Sequence, residues 1–252
     1  MLTLKVTDDL NKLISGLKGF TDKELLAITI KTLNGSARDA KYAIDKELLS
    51  VVDRPTPFTQ RAVIVINAKP NRLFAQVGYL DYGGKGTAPS DYLMPLVTGG
   101  PRKQKRSEKQ LSIILPDGNK TFLTPAKGAK LNKYGNIPAS KYVEILSYFK
   151  AFNLTDTRMN RTKESTAKKN IANKFFMAIP GVERTAHLSP GIYERTKGGL
   201  GFKKILHFAR QPTYRPKFFD FYRIGIEYAN ASFIKNFNYQ VQGVFEKILR
   251  NT

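Results

Sequence analysis

The chain has 252 residues, 41% of them hydrophobic and 11% aromatic, a composition typical of a globular protein with a sizeable core. It contains no cysteine and only two histidines, which excludes disulfides and thiolate chemistry and argues against a zinc site or histidine-based catalysis. Its formal net charge is +22, which favours a polyanion or a strongly acidic protein as a partner over a merely solvated surface.

A helix of about 30 residues is predicted to begin at Thr21, where Thr21-Asp22-Lys23-Glu24 fits a capping box. Phe20 and Leu25 occupy the two positions of a hydrophobic staple around this cap. Apolar residues then recur every three or four positions as far as Val51, and Arg54-Pro55 ends the pattern. Because the stripe is narrow and rich in alanine, we expect it to pack closely against a second long helix or a sheet.

The next elements predicted are two strands. Pro55–Thr59 is expected to be a rigid connection. The apolar runs Ala62–Ile66 and Leu73–Tyr79 follow it, with turn residues 67–72 between them. This arrangement predicts an antiparallel hairpin.

Residues 81–139 have a different character, with many glycines and few long apolar runs. Leu111–Leu115 and Thr121–Leu123 are the only runs there that suggest strands, and the Asp117-Gly118 turn between them predicts a small hairpin. The basic run Arg102–Lys109 lacks apolar anchors, so we interpret it as an exposed loop. A loop-rich stretch of this length in a compact chain is usually functional or mobile.

A short helix is predicted over Ala139–Phe149, and the polar, basic stretch Thr155–Asn173 that follows has only weak periodicity. A strand is predicted over Asn173–Pro180. Residues 101–174 hold 17 basic and 5 acidic residues, whereas residues 1–53 hold eight of each. The positive charge is therefore concentrated beyond the N-terminal helix.

The last third of the chain has the clearest pattern. Ser189–Lys197 predicts a turn and a short strand, Gly198–Gly201 a hairpin connection, and Phe202–Arg210 the returning strand. A helical pattern of roughly 30 residues then starts near Phe218, with an apolar residue every three or four positions as far as Ile248.

These elements predict an α+β fold in which two long helices, N- and C-terminal, pack on an antiparallel β-sheet, with a long basic loop and hairpin insertion. We predict that the long helix and hairpin of residues 1–80 form one domain with the hairpin and long helix of residues 175–252. Residues 81–174 are predicted to be the basic, loop-rich insertion.

No catalytic constellation is recognisable. The acidic residues beyond position 53 are scattered, and Gly83-Gly84-Lys85-Gly86-Thr87 does not match a phosphate-binding loop. Glu194-Arg195-Thr196-Lys197 can be fitted to a strand of a metal-dependent nuclease, but no acidic partner for Glu194 is evident. We therefore predict a protein that is not an enzyme, without catalytic residues, cofactor or metal, and keep the nuclease as a distant alternative.

Basic residues interleave in the C-terminal region with aromatic residues that include Tyr193, Phe202 and Phe208, a pattern that can bind single-stranded nucleic acid by base stacking and phosphate contacts. The pattern lacks an RNP-like or helix-turn-helix signature, and core aromatics flanked by an exposed basic strand face are the simpler interpretation. Ten basic residues make up the candidate contact surface, for an acidic protein or for nucleic acid. They are Arg102, Lys103, Lys105, Arg106, Lys109, Arg195, Lys203, Lys204, Arg210 and Arg215.

Five motifs carry a family resemblance: residues 34–40 (NGSARDA), 55–62 (PTPFTQRA), 190–195 (PGIYER), 205–210 (ILHFAR) and 214–221 (YRPKFFDF). In this order along the chain they resemble minor tail protein Z and related tail-completion proteins of tailed bacteriophages. The resemblance covers the two ends of the chain and leaves out residues 81–174.

The resemblance implies a virion protein of the head–tail junction or neck, made in the host cytoplasm, with several copies in a ring that makes the tail competent to join the DNA-filled head. It implies contacts with other neck, tail and connector proteins and no enzyme activity; the charge also allows contact with DNA. The alternative is a non-enzymatic nucleic-acid-binding protein with a basic surface. No stretch approaches the ~20 apolar residues that cross a bilayer and no signal peptide is recognised, so we expect a soluble protein without a membrane partner.

Overall fold

A computed structural model describes residues 1–5, 20–82, 86–115, 121–152, 159–163, 174–196, 200–215 and 219–250 of the chain. The chain divides into two compact units, each with its own hydrophobic core. Unit 1 consists of Met1–Gly84, Ala88–Gly99 and Arg215–Thr252, and unit 2 consists of Lys85–Thr87 and Gly100–Tyr214. Both units combine helices with antiparallel strands, which confirms the predicted α+β class.

Unit 1 packs two 30-residue helices on a three-stranded antiparallel sheet of order β1-β3-β2. The predicted hairpin is confirmed, with Val65 opposite Val77. An N-terminal strand that the sequence did not reveal pairs with the other edge of β3 and places Leu2 opposite Val77. The elements are β1 (Leu2–Lys5), α1 (Asp22–Val51), α2 (Pro57–Gln60), β2 (Val63–Ile66), β3 (Phe74–Tyr79), α3 (Pro89–Thr98) and α6 (Phe221–Arg250).

The capping box predicted at the start of α1 is confirmed. The backbone N–H of Thr21 donates to the Glu24 carboxylate at 2.8 Å, and the Thr21 hydroxyl oxygen accepts from the Glu24 N–H at 3.4 Å. The two contacts satisfy two of the backbone donors that a helix N-terminus otherwise leaves open. The Thr21 backbone N–H and the Thr21 hydroxyl both donate to the Glu24 carboxylate, which holds it in its charged form and lowers the pKa of Glu24.

The small residues of α1 allow α6 to approach it closely, as the alanine-rich stripe predicted. A Cβ atom on Gly35 would lie 3.0 Å from the Cγ atom of Asn236 on α6. The Asn236 amide group donates to the Ser36 hydroxyl at 3.3 Å and to the Asp39 carboxylate at 2.8 Å. Larger apolar residues of both helices then share a core with the sheet. This core includes Leu33, Ala37, Ile44, Leu48, Val63, Val77, Phe221 and Ala229.

Unit 2 is built on a four-stranded antiparallel sheet of order β5-β8-β7-β6. The predicted strands before and after the Gly198–Gly201 connection pair as expected, although residues 197–199 lie outside the described part of the chain. The short helix predicted over Ala139–Phe149 is confirmed. The elements are β4 (Gly100–Pro101), α4 (Arg106–Ser112), β5 (Phe122–Pro125), α5 (Ala139–Tyr148), β6 (Phe175–Ala178), a 3₁₀ turn (Glu183–Thr185), β7 (Gly191–Arg195), β8 (Phe202–Ala209) and β9 (Thr213–Tyr214).

The hairpin predicted from Leu111–Leu115 and Thr121–Leu123 is wrong. Leu111 lies in helix α4, and its side chain is buried in one cluster with Ile145 and Leu206. The strand at Phe122–Pro125 pairs instead with β8, where Leu123 lies opposite Phe208. A long-range pairing therefore prevailed over the local turn pattern, whose Asp117-Gly118 lies outside the described residues.

Two further helices were not predicted. Helix α3 contains Pro95, a residue that ordinarily argues against a helix interior, although Pro89 suits its first turn. Pro57–Gln60, predicted to be a rigid connection, forms the single helical turn α2, where the Thr56 hydroxyl accepts from the Thr59 N–H at 3.3 Å.

The division into units differs from the predicted grouping. Residues 175–214 belong to unit 2, because β6, β7 and β8 share one sheet with β5. Residues 88–99 belong to unit 1, although they fall within the predicted insertion. The long C-terminal helix begins at Phe221, and residues 216–218, where its start was predicted, lie outside the described residues, as does most of Thr155–Asn173.

Candidate functional site

The positive charge of the chain is concentrated in unit 2. Unit 1 has 18 basic and 13 acidic residues, which is a net charge of +5. Unit 2 has 24 basic and 7 acidic residues, which is a net charge of +17 on fewer than half of the residues. A field of this sign and density attracts polyanions, so unit 2 is where contacts with them are expected.

Arg102 does not belong to an exposed contact surface, contrary to the prediction. The residue is 7% exposed, and its guanidinium group donates to both carboxylate oxygens of Glu108 at 2.7 and 2.8 Å. The guanidinium carbon also lies 4.9 Å from the ring centroid of Phe122. The other four basic residues of this segment are exposed, but Arg106 and Lys109 are on α4 rather than in a loop. The four are Lys103, Lys105, Arg106 and Lys109.

Glu108 is the organising residue of this segment. Besides the two bonds from Arg102, its carboxylate accepts from the backbone N–H of Lys105 at 2.6 Å and of Leu123 at 2.9 Å. It thereby caps α4 and ties that helix to β5. Burial by itself would raise the pKa of Glu108, but the bonds from Arg102 and the two backbone amides together bring it below the ordinary value.

The remaining candidate residues are divided between the units. Arg195 is on β7, Lys203 and Lys204 are on β8, and Arg210 is exposed directly after β8, all in unit 2. Arg215 is exposed and belongs to unit 1. The structure thus places Arg195 and Lys204 on one face of the unit 2 sheet and Lys203, opposite Glu194, on the other, and all three belong to a different unit from Arg215.

One face of the unit 2 sheet carries aromatic and basic side chains together. Strand register places Phe176 opposite Tyr193, Tyr193 opposite Lys204, and Arg195 opposite Phe202. Residues directly opposite on neighbouring antiparallel strands lie on the same face of a sheet. We call these five residues the aromatic face.

The other face of the same sheet is the core of unit 2. Ile192 and Leu206 lie opposite each other there and pack in one cluster with Ile145 of α5. Phe208, which the sequence pattern grouped with the binding aromatics, packs against this core instead. Phe176 was not predicted as a surface aromatic; its alternation with Phe175, which is buried, was the pattern that could have revealed it.

Glu194 is enclosed by lysine side chains. Its carboxylate lies 2.6 Å from the ammonium group of Lys141, 3.7 Å from that of Lys203 and 3.8 Å from that of Lys174. Glu144 joins the same network through Lys141 and Lys174. Burial by itself would raise the pKa of Glu144, but the hydrogen bonds from Lys174 and Lys141 bring it below its ordinary value. Glu194 therefore holds structural ion pairs, an environment that disfavours its predicted alternative use as a metal ligand.

The described residues also do not gather three or more His, Asp or Glu side chains in a position to hold a metal ion. Over the same described ranges, no helix combines the length and apolarity that crossing a bilayer requires.

A second surface, on unit 1, is apolar rather than basic. Among the large apolar and aromatic residues that helix α6 exposes, five are between 52% and 73% exposed. Between Glu227 and Glu246 this helix has one charged residue, Lys235. We call these five side chains the outward face of α6. They are Tyr228, Ile234, Tyr239, Phe245 and Leu249.

Comparison of the chain with protein-family models, with curated proteins and with solved structures finds no match. The fold and the two surfaces therefore define the class of protein: a two-unit α+β protein with an apolar helix face on one unit and a strongly basic second unit.

Proposed function

We propose that this chain is a structural virion protein of a tailed bacteriophage, a tail-completion or neck component at the head–tail junction that works through oligomeric protein contacts. The outward face of α6 is the observation that carries the proposal. The order of the unit 1 elements, with a long helix and hairpin at the start and a long helix at the end, supports the family resemblance described above.

The outward face of α6 has the size and chemistry of a contact between copies. At about 200 Å² per large side chain, its five residues expose on the order of 600 Å². One partner in a standard protein–protein interface contributes ~800 Å². Each copy has a net charge of +22, but the charged residues interspersed on this face, Glu227, Lys235 and Glu246, sum to −1, so it opposes association between copies less than the strongly basic surface of unit 2 does.

The proposal is tested by the copy number of the chain in purified phage particles, measured by quantitative mass spectrometry against the major capsid protein. We expect a small fixed number, on the order of 6 or 12, because head-to-tail interfaces close into rings. Absence of the chain from the particles contradicts the proposal.

Variants of the outward face test the contact itself. Ile234→Ser combined with Phe245→Ser should lower the copy number, because it removes apolar area without adding charge. Tyr42→Ser, on an exposed position of α1, is the matched control and should leave the copy number unchanged. Equal incorporation of both variants would show that the contact lies elsewhere.

The charge of unit 2 favours a second candidate function, non-enzymatic binding of nucleic acid. Its net charge of +17 predicts an affinity whose logarithm falls steeply and linearly with the logarithm of salt concentration. Failure to bind DNA or RNA at ~100 mM salt contradicts this candidate.

A further inference from the structure

Three rings of the aromatic face contact one another. Phe176 and Tyr193 are stacked, with ring centroids 5.1 Å apart and planes 12° apart. Phe202 meets both rings edge-on, at centroid distances of 5.3 and 5.6 Å. Phe202 is nevertheless 47% exposed, whereas Tyr193 is buried. The cluster therefore fixes the Phe202 ring in place while leaving much of its surface open to a ligand.

Two cations flank the stacked pair. The guanidinium carbon of Arg195 lies 5.0 Å from the Phe176 centroid, and the ammonium nitrogen of Lys204 lies 5.8 Å from the Tyr193 centroid. Lys204 also donates to the Ser189 hydroxyl at 2.8 Å. Unlike Lys203, which faces Glu194 on the other side of the sheet, neither forms an ion pair with any carboxylate of the described residues. Their positive charge is therefore not offset by a neighbouring carboxylate there.

We infer that the aromatic face is a binding surface for single-stranded nucleic acid, on which Phe202 stacks against an unpaired base while Arg195 and Lys204 contact the adjoining phosphates. This inference rests on the second candidate function above and assigns it to a definite surface. It does not depend on the virion role.

The chemistry favours a single strand over a duplex. In a duplex the faces of the bases are hidden by stacking, so an exposed aromatic ring has nothing to stack on, whereas unpaired bases present their faces. Stacking on aromatic side chains is independent of sequence, and a basic surround supplies the phosphate contacts. The aromatic face combines these two elements in the unit that carries most of the net charge.

The test is the affinity of the full chain for a fluorescein-labelled oligothymidine of about 20 nucleotides, measured by fluorescence anisotropy over a range of salt concentrations. Phe202→Ala should weaken binding about tenfold with little change in the salt dependence, since it removes stacking and no charge. Phe202→Tyr keeps an aromatic ring and should bind like the unaltered chain. Phe58→Ala, at a phenylalanine that is 43% exposed in unit 1, is the matched control.

The phosphate contacts are tested separately. Arg195→Gln combined with Lys204→Gln should reduce the slope of log affinity against log salt by about 1.4, at ~0.7 per phosphate contact on a single strand. Lys127→Gln combined with Lys130→Gln removes the same charge from exposed positions of unit 2 outside the aromatic face and should change the slope by less. Circular dichroism spectra establish that each variant is folded.

The possible outcomes distinguish a wrong assignment to the aromatic face from a wrong candidate function. If Phe202→Ala binds as the unaltered chain does, or if the two double variants behave alike, nucleic acid binds elsewhere and the assignment to the aromatic face is overturned. Tighter binding of a duplex of the same length overturns the preference for a single strand. No binding at ~100 mM salt overturns both the assignment and the second candidate function.

Discussion

The two units of this chain are stabilised in different ways. The stability of unit 1 depends on close packing, because small residues such as Gly35 and Ala37 on α1 let α6 approach. Its basic and acidic residues also nearly balance. Unit 2 depends on ion pairs as well as on its core, since Glu108, Glu144 and Glu194 each hold basic side chains within the fold. Three of the four acidic residues of unit 2 that the structure describes thus have structural partners.

This difference explains why the charge of unit 2 is so one-sided. The three glutamates offset only part of the charge of the 24 basic residues. Arg195 and Lys204 of the aromatic face, for example, form no ion pair with a carboxylate of the described residues. In unit 1, by contrast, the outward face of α6 exposes five large apolar or aromatic side chains, and the charged residues interspersed with them, Glu227, Lys235 and Glu246, sum to −1. The two proposals above accordingly place protein contacts on unit 1 and polyanion contacts on unit 2.

The largest expected effect is the loss of the Glu108 carboxylate. Glu108→Ala leaves the buried guanidinium of Arg102 unpaired and the Lys105 and Leu123 amides without their acceptor. Removing one partner of a buried ion pair typically lowers the free energy of unfolding by about 3–5 kcal/mol. Urea denaturation followed by far-UV circular dichroism measures this loss.

The control for this prediction is Glu183→Ala, which makes the same charge change at an exposed position of unit 2 and should have little effect. Arg102→Met combined with Glu108→Leu should recover part of the stability, because no buried charge is then left unpaired. If Glu108→Ala were no less stable than Glu183→Ala, ion pairing would not distinguish unit 2 from unit 1.

The next effect tests close packing in unit 1 with two glycines of the same helix. A Cβ atom on Gly225 would lie 2.7 Å from Leu2 Cδ2 and 3.2 Å from Ile44 Cδ1, whereas one on Gly243 would have no atom within 4 Å. Gly225→Val should therefore be less stable than Gly243→Val by about 1–3 kcal/mol, the usual cost of overpacking. Urea denaturation of both variants gives the difference, and their shared change in helix propensity cancels. Equal stabilities would mean that the contact with β1 is loose.

Local patterns in the sequence were sufficient for much of this fold. The Thr21–Glu24 cap, the long periodic stripes and the glycine-rich connection before Phe202 each specify an element from neighbouring residues alone. Helix α4 and the pairing of strand β5 with β8 could not be found in this way, because they depend on contacts between distant segments. Leu111 packs on Ile145, and Leu123 pairs with Phe208.

The candidate site was predictable only in part. Interleaved basic and aromatic residues pointed to Arg195, Phe202 and Lys204, but strand register was needed to place Phe176 beside them. Arg102 looked like one more cation of an exposed run. Its burial depends on Glu108, the one acidic residue in that run, which was the pattern that could have distinguished it.

The smallest expected effect is an opposite pH dependence in the two units, set by the pKa shifts of one carboxylate in each. Burial raises the pKa of Asp45 on α1, although its hydrogen bond from Lys41 acts in the opposite direction, and its Oδ1 atom has no hydrogen-bond partner among the described residues. The folded state therefore binds this proton more readily than the unfolded state, and unit 1 gains stability as the pH falls through the raised pKa.

Glu108 has the opposite sign. Its folded pKa is lowered, so its contribution is complete above the ordinary glutamate pKa and is lost as the pH falls through the lowered value. We compare Asp45→Asn and Glu108→Gln with the unaltered chain by urea denaturation between about pH 7 and pH 3. The gain from Asp45→Asn should shrink as the pH falls, and the loss from Glu108→Gln should shrink as well, because each carboxylate becomes neutral in the unaltered chain. If the effects of both substitutions were independent of pH, neither carboxylate would have the environment described here, and the contrast between the two units would rest on packing alone.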